Sequence, residues 1–180
     1  SAYSNPYFGI HLQFPADWII QNKTQIQNIF EIGKKAIEFN DEASNKYMES
    51  IDVNSMTLLM LAKYEYGSPV EFNPSLILMA ENIINFPGIK KGSDYHFHLT
   101  KLLKESNLDM EVVNSDDSIP TNKHTFYVLE CVRNASGIHL EYYTAIINKF
   151  AVSFVIAYKE DDDKNRLLKI IHSLKFDKSE

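Results

Sequence analysis

The sequence predicts an α+β fold, in which an antiparallel β-sheet is covered by helices as an α/β/α sandwich. Three observations support this prediction. From residue 110 onward, four strand-like segments follow one another, at residues 110–114, 124–133, 138–148 and 150–159. Tight-turn sequences at residues 134–137 and 148–149 connect the last three segments, so these strands must be antiparallel. Helical periodicity is present at the start, in the middle and at the end of the chain.

The N-terminal part begins with a strand and continues with helices. At residues 7–14, apolar and smaller or polar residues alternate with the period of a strand, and Pro15 ends the pattern. A short extended segment resumes at Trp18. From Thr24 the spacing becomes helical, and a second helix is predicted at residues 41–50 after a break at residues 40–41. The apolar face of the first helix contains Ile26, Ile29, Phe30, Gly33 and Ile37.

Two further strands and two further helices complete the prediction. Residues 56–66 are apolar on both faces and indicate a central strand, and residues 75–84 indicate another. Ser93 is the expected N-cap of a helix that ends near residue 107. The strand at residues 150–159 has one face of small residues, which lets a helix pack closely. The last helix begins at residues 161–163 and points Leu167, Leu168, Ile171 and Leu174 inward.

Length, composition and charge indicate one domain with a substantial core. The chain has 180 residues, of which 44% are hydrophobic, and this length fits a single domain over residues 1–180. Residues 1–5 are expected to be disordered or tag-derived. The net charge of −6 argues against nucleic-acid binding. The lone Cys131 lies in an apolar strand, where a buried, unreactive thiol is expected. No apolar run approaches the length of a transmembrane helix.

No catalytic, cofactor-binding or metal-binding constellation is recognisable, so none is predicted. His96 and His98 are two residues apart on a helix and point in different directions, and His11, His124 and His139 lack a carboxylate or cysteine at ligand spacing. The aspartates at residues 161–163 are explained by the preference for negative charge at a helix N-terminus. Glycines are isolated, which excludes a phosphate-binding loop.

A set of aromatic residues is the one candidate for a binding surface. Trp18, the only tryptophan, is expected at the edge of the core. Tyrosines are common on binding surfaces, although they also cap ordinary cores. The residues predicted for a partner surface are Trp18, Tyr64, Tyr66, Phe72, Tyr142 and Tyr143.

Two segments resemble a known family. Residues 7–18, with the sequence YFGIHLQFPADW, are similar to the start of the PsbP/Mog-type α/β/α family, where a glycine-bearing first strand leads to a Pro-x-x-Trp turn. The segment SLKF at residues 173–176 is similar to the family's C-terminal end. Asn122 and Lys123 depart from the family, because many members carry a glycine there. The resemblance implies the fold and an association with other macromolecules, since members include photosystem II extrinsic subunits, Ran-binding transport factors, bacterial lipoproteins and secretion chaperones.

The expected function is therefore that of a non-enzymatic binding or accessory protein whose partner is another protein. We expect an exported or lipid-anchored bacterial protein, with a cytoplasmic location as the alternative. The start at Ser1 and Ala2 is typical of a tag scar, so a signal or anchor upstream stays open. Contact with a membrane is expected only through such an anchor. The alternatives are an enzyme or small-ligand binder with a pocket between helices and sheet near Trp18, and a secretion-effector chaperone. The oligomeric state stays open.

Overall fold

The computed structural model describes residues 1–37 and 42–178, which form two antiparallel sheets and a set of helices. The helices are α1 (Lys23–Ala36), α2 (Glu42–Asn54), α3 (Gly92–Glu105) and α4 (Asp161–His172). The strands are β1 (Ala2–Asn5), β2 (Ile10–Gln13), β3 (Ile19–Ile20), β4 (Ser55–Ala62), β5 (Ser75–Asn82), β6 (Met110–Asn114), β7 (Ser118–Pro120), β8 (Thr125–Arg133), β9 (Ile138–Ile147), β10 (Phe150–Tyr158) and β11 (Lys175–Phe176).

The larger sheet has the strand order β3-β4-β5-β10-β9-β8-β6, and β7 pairs with β8 beside β6. All of its pairs are antiparallel. The long β9–β10 hairpin places Phe150 opposite Ile147 and Tyr158 opposite His139. The smaller sheet has the order β1-β2-β11, so it joins the two ends of the described chain. The predicted α+β class is confirmed.

One face of the larger sheet carries the main core. The large side chains of β10 point to this face, and Val152, Phe154 and Ile156 are fully buried there. Helix α4 and the smaller sheet cover them, contributing among others Leu167 and Phe176. The alternating apolar residues of the opening segment complete this layer, because Phe8, Ile10, Leu12, Phe14 and Trp18 are all buried. The apolar residues of the alternating pattern therefore form the inward face of β2 and of the residues on either side of it.

The opposite face is covered by the helical layer of α2 and α3. The small residues of β10, Ala151 and Ser153, lie on this face and let α3 approach closely. The approach is closest at Gly92, where a Cβ atom would lie 1.9 Å from the carbonyl oxygen of Thr144. Such a distance excludes every residue except glycine. This closest approach is made to β9, the neighbour of β10, and not to the small-residue face of β10 itself.

Helix α1 has the predicted amphipathic pattern but lies at the surface. Asn22 and Gln25 form a reciprocal capping box, with backbone-to-side-chain distances of 3.0 and 2.8 Å. None of its residues is fully buried, and its apolar stripe is half-buried. The Asn107 side chain donates a hydrogen bond to the Ala36 carbonyl oxygen, at 3.3 Å, near the end of the helix.

Several boundaries differ from the prediction. Of the two expectations for residues 1–5, disorder is wrong for Ala2–Asn5, because these residues pair with Ile10–Gln13 as β1, and a tag origin stays a prediction. The predicted central strand at residues 56–66 ends at Ala62, and β4 lies next to the edge strand β3. Helix α3 begins one residue before Ser93, because the Asp94 carboxylate accepts both the Lys90 and Lys91 backbone N–H groups at 3.0 Å. The predicted break at residues 40–41 lies outside the described residues. Within the described residues, no helix is both long and apolar enough to cross a membrane.

Candidate functional site

A dense cluster of titratable side chains lies where α4 begins, against strands β9 and β10. Glu141 is buried at 3% exposure and stands at its centre. The Tyr158 hydroxyl donates to its Oε1 at 2.5 Å, the Tyr143 hydroxyl donates to its Oε2, and the Lys164 ammonium lies 2.7 Å from Oε1. Glu141 and Tyr143 are two residues apart on β9, so both point into the core. We call these four residues the Glu141 cluster.

A second ring of charged and aromatic groups closes the cluster toward solvent. The His139 ring stacks on Tyr158, with centroids 5.0 Å apart and planes 7° from parallel. Glu130 lies 3.6 Å from His139 Nδ1 and 3.9 Å from Lys164 Nζ. Lys164 also lies 5.4 Å from the centroid of the Tyr158 ring. This ammonium therefore sits between two carboxylates and an aromatic face.

The electrostatics of the cluster favour the ion pair. Burial alone would raise the pKa of Glu141, but hydrogen bonds from Lys164, Tyr143 and Tyr158 outweigh it and hold that pKa below its ordinary value. Burial would lower the pKa of Lys164, and the bond to Glu141 raises it instead. Burial and the bond to Glu141 raise the pKa of both tyrosines. At neutral pH the cluster therefore holds a carboxylate, an ammonium and two phenols.

This arrangement is suited to holding α4 on the sheet and is poorly suited to acid–base catalysis. Both carboxylate oxygens of Glu141 already accept hydrogen bonds. A general base must reach a substrate proton with a free lone pair. Glu141 is also ionised, so it has no proton to donate. Of the three donors, only Lys164 is partly exposed, at 30%. The cluster thus attaches the first turns of α4 to β9 and β10.

A second polar cluster lies under α3, on the other face of the larger sheet. His96 Nε2 is 2.9 Å from Thr144 Oγ1, which is 2.8 Å from Ser153 Oγ, and all three side chains are buried. Beside them, the Tyr95 hydroxyl donates to Glu81 at 2.5 Å. Burial lowers the pKa of His96 to about 4. Burial also raises the pKa of Glu81, an effect that the Tyr95 bond partly offsets. His96 is therefore neutral at physiological pH.

A third arrangement, on the outward face of the smaller sheet, places a serine, a histidine and an aspartate in a row. Ser4 Oγ is 3.0 Å from His11 Nδ1, and His11 Nε2 is 2.6 Å from Asp177 Oδ1. Ser4 and His11 are cross-strand partners in β1 and β2. His11 and Asp177 are 51% and 56% exposed, so water competes for each of these bonds. The row has the order of a catalytic triad without the enclosed setting that activates one.

An open groove of about 600 Å³ lies beside this row, between α4 and the smaller sheet. Gln13, which lines it, follows His11 on the same face of β2. The groove is also lined by Phe14, Pro15, Lys169, Ile170 and Ser173. The Ser173 hydroxyl bonds the backbone of Gln13, and this contact ties the two walls together. Trp18, near which the sequence suggested a pocket, is buried and does not line this groove, so that pocket stays a prediction.

The structure separates the six residues predicted for a partner surface. Trp18 and Tyr143 are each only 3% exposed and belong to the core, because both rings pack under α4 and the smaller sheet. Tyr142 is half-buried against Leu103, Leu129 and Cys131, and Phe72 is half-buried. Tyr64 and Tyr66 are exposed, at 37% and 44%. The six residues therefore do not form one surface. A smaller partner surface that includes Tyr64 and Tyr66 stays a prediction.

The histidines and the cysteine take the following places. His96 is buried and His98 exposed, so the two point apart as expected. His11 and His139, for which the sequence offered no carboxylate partner, lie beside Asp177 and Glu130. Within the described residues, no three His, Cys, Asp or Glu side chains are placed to hold a metal ion. Cys131 is buried, and burial together with the Glu130 charge raises the pKa of its thiol to about 11.

The sequence alone does not predict the Glu141 cluster, although one signal points to it. Residues 138–147 alternate as a strand, and Glu141 shares the inward face with Tyr143, Ala145 and Ile147. A charged residue on the apolar face of a strand needs a buried partner. Lys164, which supplies the charge, lies on α4 and is not identifiable from this pattern alone.

Comparisons with known proteins address the fold. No protein-family model matches the sequence, and no curated protein is significantly similar to it. The chain is similar to the solution structure of cyanobacterial PsbP (CyanoP) from Synechocystis sp. PCC 6803. The match covers 98% of this chain and 92% of that chain, with a TM-score of 0.57 and 12% identity. At this identity the likeness concerns the fold, and the Mog-type part of the resemblance stays a prediction. The chain therefore has a PsbP-like fold.

Proposed function

We propose that this protein is a non-enzymatic accessory module that acts by associating with another protein. The observation that carries the proposal is the PsbP-like fold, which extends over 98% of the chain. The resemblance of residues 7–18 and 173–176 to the PsbP/Mog-type family supports the proposal independently, because that resemblance implies association with other macromolecules. The chemistry of the buried clusters agrees with it. Glu141 and His96 are committed to contacts that hold helices on the sheet.

The proposed partner surface is the loop between β4 and β5, residues 63–74. It presents Tyr64, Tyr66 and Val70, each between 37% and 44% exposed. Tyrosines combine a large apolar ring with a hydroxyl and have few rotatable bonds, which makes them effective contact residues. Phe72 lies in the same loop and is half-buried. The partner of such a surface is a protein with an apolar, hydrogen-bonding patch.

The loop is held in place, which lowers the entropy lost when a partner binds. The Asn73 side chain accepts a bond from the Tyr64 backbone N–H at 3.0 Å and donates to its carbonyl oxygen at 2.8 Å. Lys63 forms an ion pair with Asp163 at 2.6 Å, which ties the start of the loop to α4. Glu71 pairs with Lys159 at the other end of the loop. The two tyrosines are therefore presented on a pre-organised segment.

A photocrosslinking experiment tests this surface. The photoreactive residue p-benzoylphenylalanine replaces Tyr66 in the full-length protein, which is then expressed in its native organism and irradiated. We expect one protein to be crosslinked from position 66 and not from the matched position Tyr7, an equally aromatic and 62% exposed side chain in another part of the molecule. Equal crosslinking from both positions, or none from position 66, would contradict the proposal.

The proposed location is extracytoplasmic, as an exported or lipid-anchored bacterial protein, with the cytoplasm as the alternative. The family resemblance supports this part of the proposal. The deciding observation is the sequence encoded upstream of Ser1 in the gene. An apolar stretch followed by a cysteine would establish a lipid anchor, whereas a methionine directly before this segment would assign the protein to the cytoplasm.

A second candidate function, an enzyme or small-ligand binder, is favoured by the Ser4–His11–Asp177 row beside the open groove. A reactive Ser4 would be labelled by a fluorophosphonate probe, and the labelling would be lost in Ser4→Ala and kept in Ser173→Ala. Absence of labelling in the unmodified protein would remove the acyl-transfer version of this candidate. No contact in the described chain specifically favours the secretion-chaperone alternative.

A further inference from the structure

Four exposed carboxylates surround the partner surface proposed above, the loop of residues 63–74. One belongs to the loop and three to the start of α4, and we call them the acidic rim, which consists of Glu65, Glu160, Asp161 and Asp162. Lys63 of the loop pairs with Asp163 of α4 at 2.6 Å. Glu71 of the loop pairs with Lys159, so the loop contacts the chain on both sides of the helical rim residues. The rim and the exposed tyrosines therefore lie at the same end of the larger sheet.

The cations near the rim are paired with other carboxylates. The two lysines that join the loop to α4 are each neutralised by their own partner. On α4, the Lys164 ammonium lies 2.7 Å from the buried Glu141. The Arg166 guanidinium lies 2.5 Å from Asp17. Lys169 is located farther along the helix, where it lines the groove beside the smaller sheet. The basic residues of α4 are therefore engaged elsewhere and do not neutralise the rim.

The rim leaves this end of the molecule negative. In residues 1–37 and 42–178, no Lys, Arg or His side chain lies within ion-pair distance of a rim carboxylate. The positive end of the α4 dipole offsets about half an elementary charge. Arg133, at the end of β8 and two strands from β10, adds one positive charge. The four carboxylates outweigh both contributions, so the rim attracts a cationic partner.

The tyrosine rings of the loop are a second feature that suits a cationic partner. Lys63 Nζ lies 5.4 Å from the centroid of the Tyr64 ring, so this ring already holds an ammonium group at cation–π distance. Within the described chain, no lysine or arginine lies over the ring of Tyr66, which is 44% exposed. A guanidinium group stacks on such a ring and also forms ion pairs with carboxylates. The loop and the rim therefore offer an arginine two kinds of contact at one place.

Other occupants fit this surface less well. The rim repels the phosphates of nucleic acids and of lipid headgroups. A protein-bound metal ion needs several ligands, and among the described residues no three His, Cys, Asp or Glu side chains are placed to hold one. We propose that the partner binds the loop of residues 63–74 through a basic segment, with arginines or lysines against the acidic rim and the tyrosine rings. This inference rests on the proposed function and adds the chemistry of the partner.

Nuclear magnetic resonance with model peptides tests the chemistry of this surface. The probes are a short peptide of alternating arginine and glycine and a matched peptide of alternating glutamate and glycine. We expect the arginine peptide alone to shift the backbone amide signals of residues 64–66 and 160–162, and less so in high salt. The exposed Asp116 and Asp117, in the loop between β6 and β7, are the internal control and should shift less. Equal shifts at both places, or none at the loop and rim, would overturn the inference.

Charge variants test the rim in the full chain. Asp161→Asn/Asp162→Asn is expected to bind the arginine peptide about three- to tenfold more weakly, since each exposed ion pair contributes a modest amount. The matched control Asp116→Asn/Asp117→Asn removes the same charge and should bind as the unmodified chain does. Glu65→Gln lies outside the helices and should also weaken binding, which keeps the test decisive if circular dichroism shows the α4 variant to be unfolded. Unchanged affinity in the folded rim variants would contradict the inference.

Crosslinking from position 66 separates this inference from the function on which it rests. We expect the crosslink to the partner to weaken in the Asp161→Asn/Asp162→Asn background and to persist in the Asp116→Asn/Asp117→Asn background. A crosslink that forms and is undiminished in both backgrounds would leave the association standing and exclude a basic partner. Absence of any crosslink from position 66 in the unmodified chain would remove the proposed surface itself, and this inference with it.

Discussion

At the scale of single residues, the protein places charge inside its core and satisfies it completely. Glu141 accepts hydrogen bonds from two tyrosines and from Lys164, and these bonds overcome the cost of burial. A carboxylate in this setting favours one specific position of α4 on the sheet, and its net contribution to the free energy of unfolding is small. Removing one partner, in contrast, leaves the others buried and unpaired. The Glu141 cluster is therefore sensitive to any change of charge.

We expect Glu141→Gln to lower the free energy of unfolding by about 2–4 kcal/mol, because Lys164 would lose its close partner and one tyrosine hydroxyl its acceptor. Urea unfolding at neutral pH measures the change. The control is Glu130→Gln, which removes a more exposed glutamate whose nearest basic side chains, His139 and Lys164, are 3.6 and 3.9 Å away. Its cost is expected to stay under about 1 kcal/mol. Similar losses in the two variants would show that the Glu141 cluster contributes no special stability.

At the scale of elements, α3 is attached to the sheet through polar groups as well as apolar packing. Gly92 lets the helix backbone approach Thr144, and His96 then reaches the Thr144 hydroxyl at 2.9 Å. The Nδ1 atom of His96 is buried and has no hydrogen-bond partner. Protonating this ring would place a charge in the core. The attachment of α3 should therefore weaken in acid.

The pH dependence follows from the lowered pKa of His96. In the unfolded chain the ring titrates near 6.5, and in the folded chain at about 4. The stability is therefore fully present above pH 6.5 and declines as the pH falls toward 4, by on the order of 3 kcal/mol for this shift. His96→Gln keeps a donor for Thr144 and removes the titration. We expect the difference in unfolding free energy between the two proteins to shrink with acidification over this range.

The control for this measurement is His98→Gln, since His98 is exposed on the same helix. Its unfolding free energy should follow that of the unmodified protein at every pH. Glu81 makes the opposite contribution: because its pKa is raised, it adds stability in acid, and this stability is lost as the pH rises. Glu81 is present in both the unmodified and the His96→Gln proteins, so its contribution cancels in the difference between them. A constant difference between the unmodified and His96→Gln proteins from pH 6.5 to 4 would contradict the assignment.

The elements that sequence reasoning identified are those whose periodicity is long enough to recognise. Strands β8, β9 and β10 have nine or ten residues each and were found within one or two residues. Strands β1, β7 and β11 have four, three and two residues and carry no periodic signal. Their pairing depends on the rest of the fold. The same limit applies to the sites, because His11 and Asp177 are 166 positions apart in the chain.

At the scale of the whole molecule, the two ends of the described chain complete one layer together. Strand β2, near the N-terminus, lies between β1 and β11, so the final strand closes a sheet that the first residues began. Phe176 is buried there, stacked on Phe126 at 6.1 Å and edge-on to His124 at 4.7 Å. The core under α4 is therefore complete only when the last strand is in place.

Phe176→Ala is expected to lower the free energy of unfolding by about 3 kcal/mol, through lost burial and the cavity left beside Phe126. Far- and near-ultraviolet circular dichroism should report one shared transition, because the closing strand belongs to the main core. Lys175→Ala, at the exposed neighbouring position, should change the stability by less than about 0.5 kcal/mol. Two separate transitions in the Phe176 variant would show that the smaller sheet unfolds on its own.

The margins of the larger sheet affect how these molecules behave at high concentration. The first half of β4 has no strand on its outer side within the described chain, since β3 pairs only with Leu61 and Ala62. A regular edge of this kind templates the addition of another molecule, and the outcome is fibrous aggregation. Here the register of β4 shifts between Thr57 and Leu59, and β7 ends in Pro120. Both irregularities interrupt the row of backbone N–H and C=O groups along an edge strand. The protein can therefore expose the edges of its larger sheet and still resist edge-to-edge polymerisation.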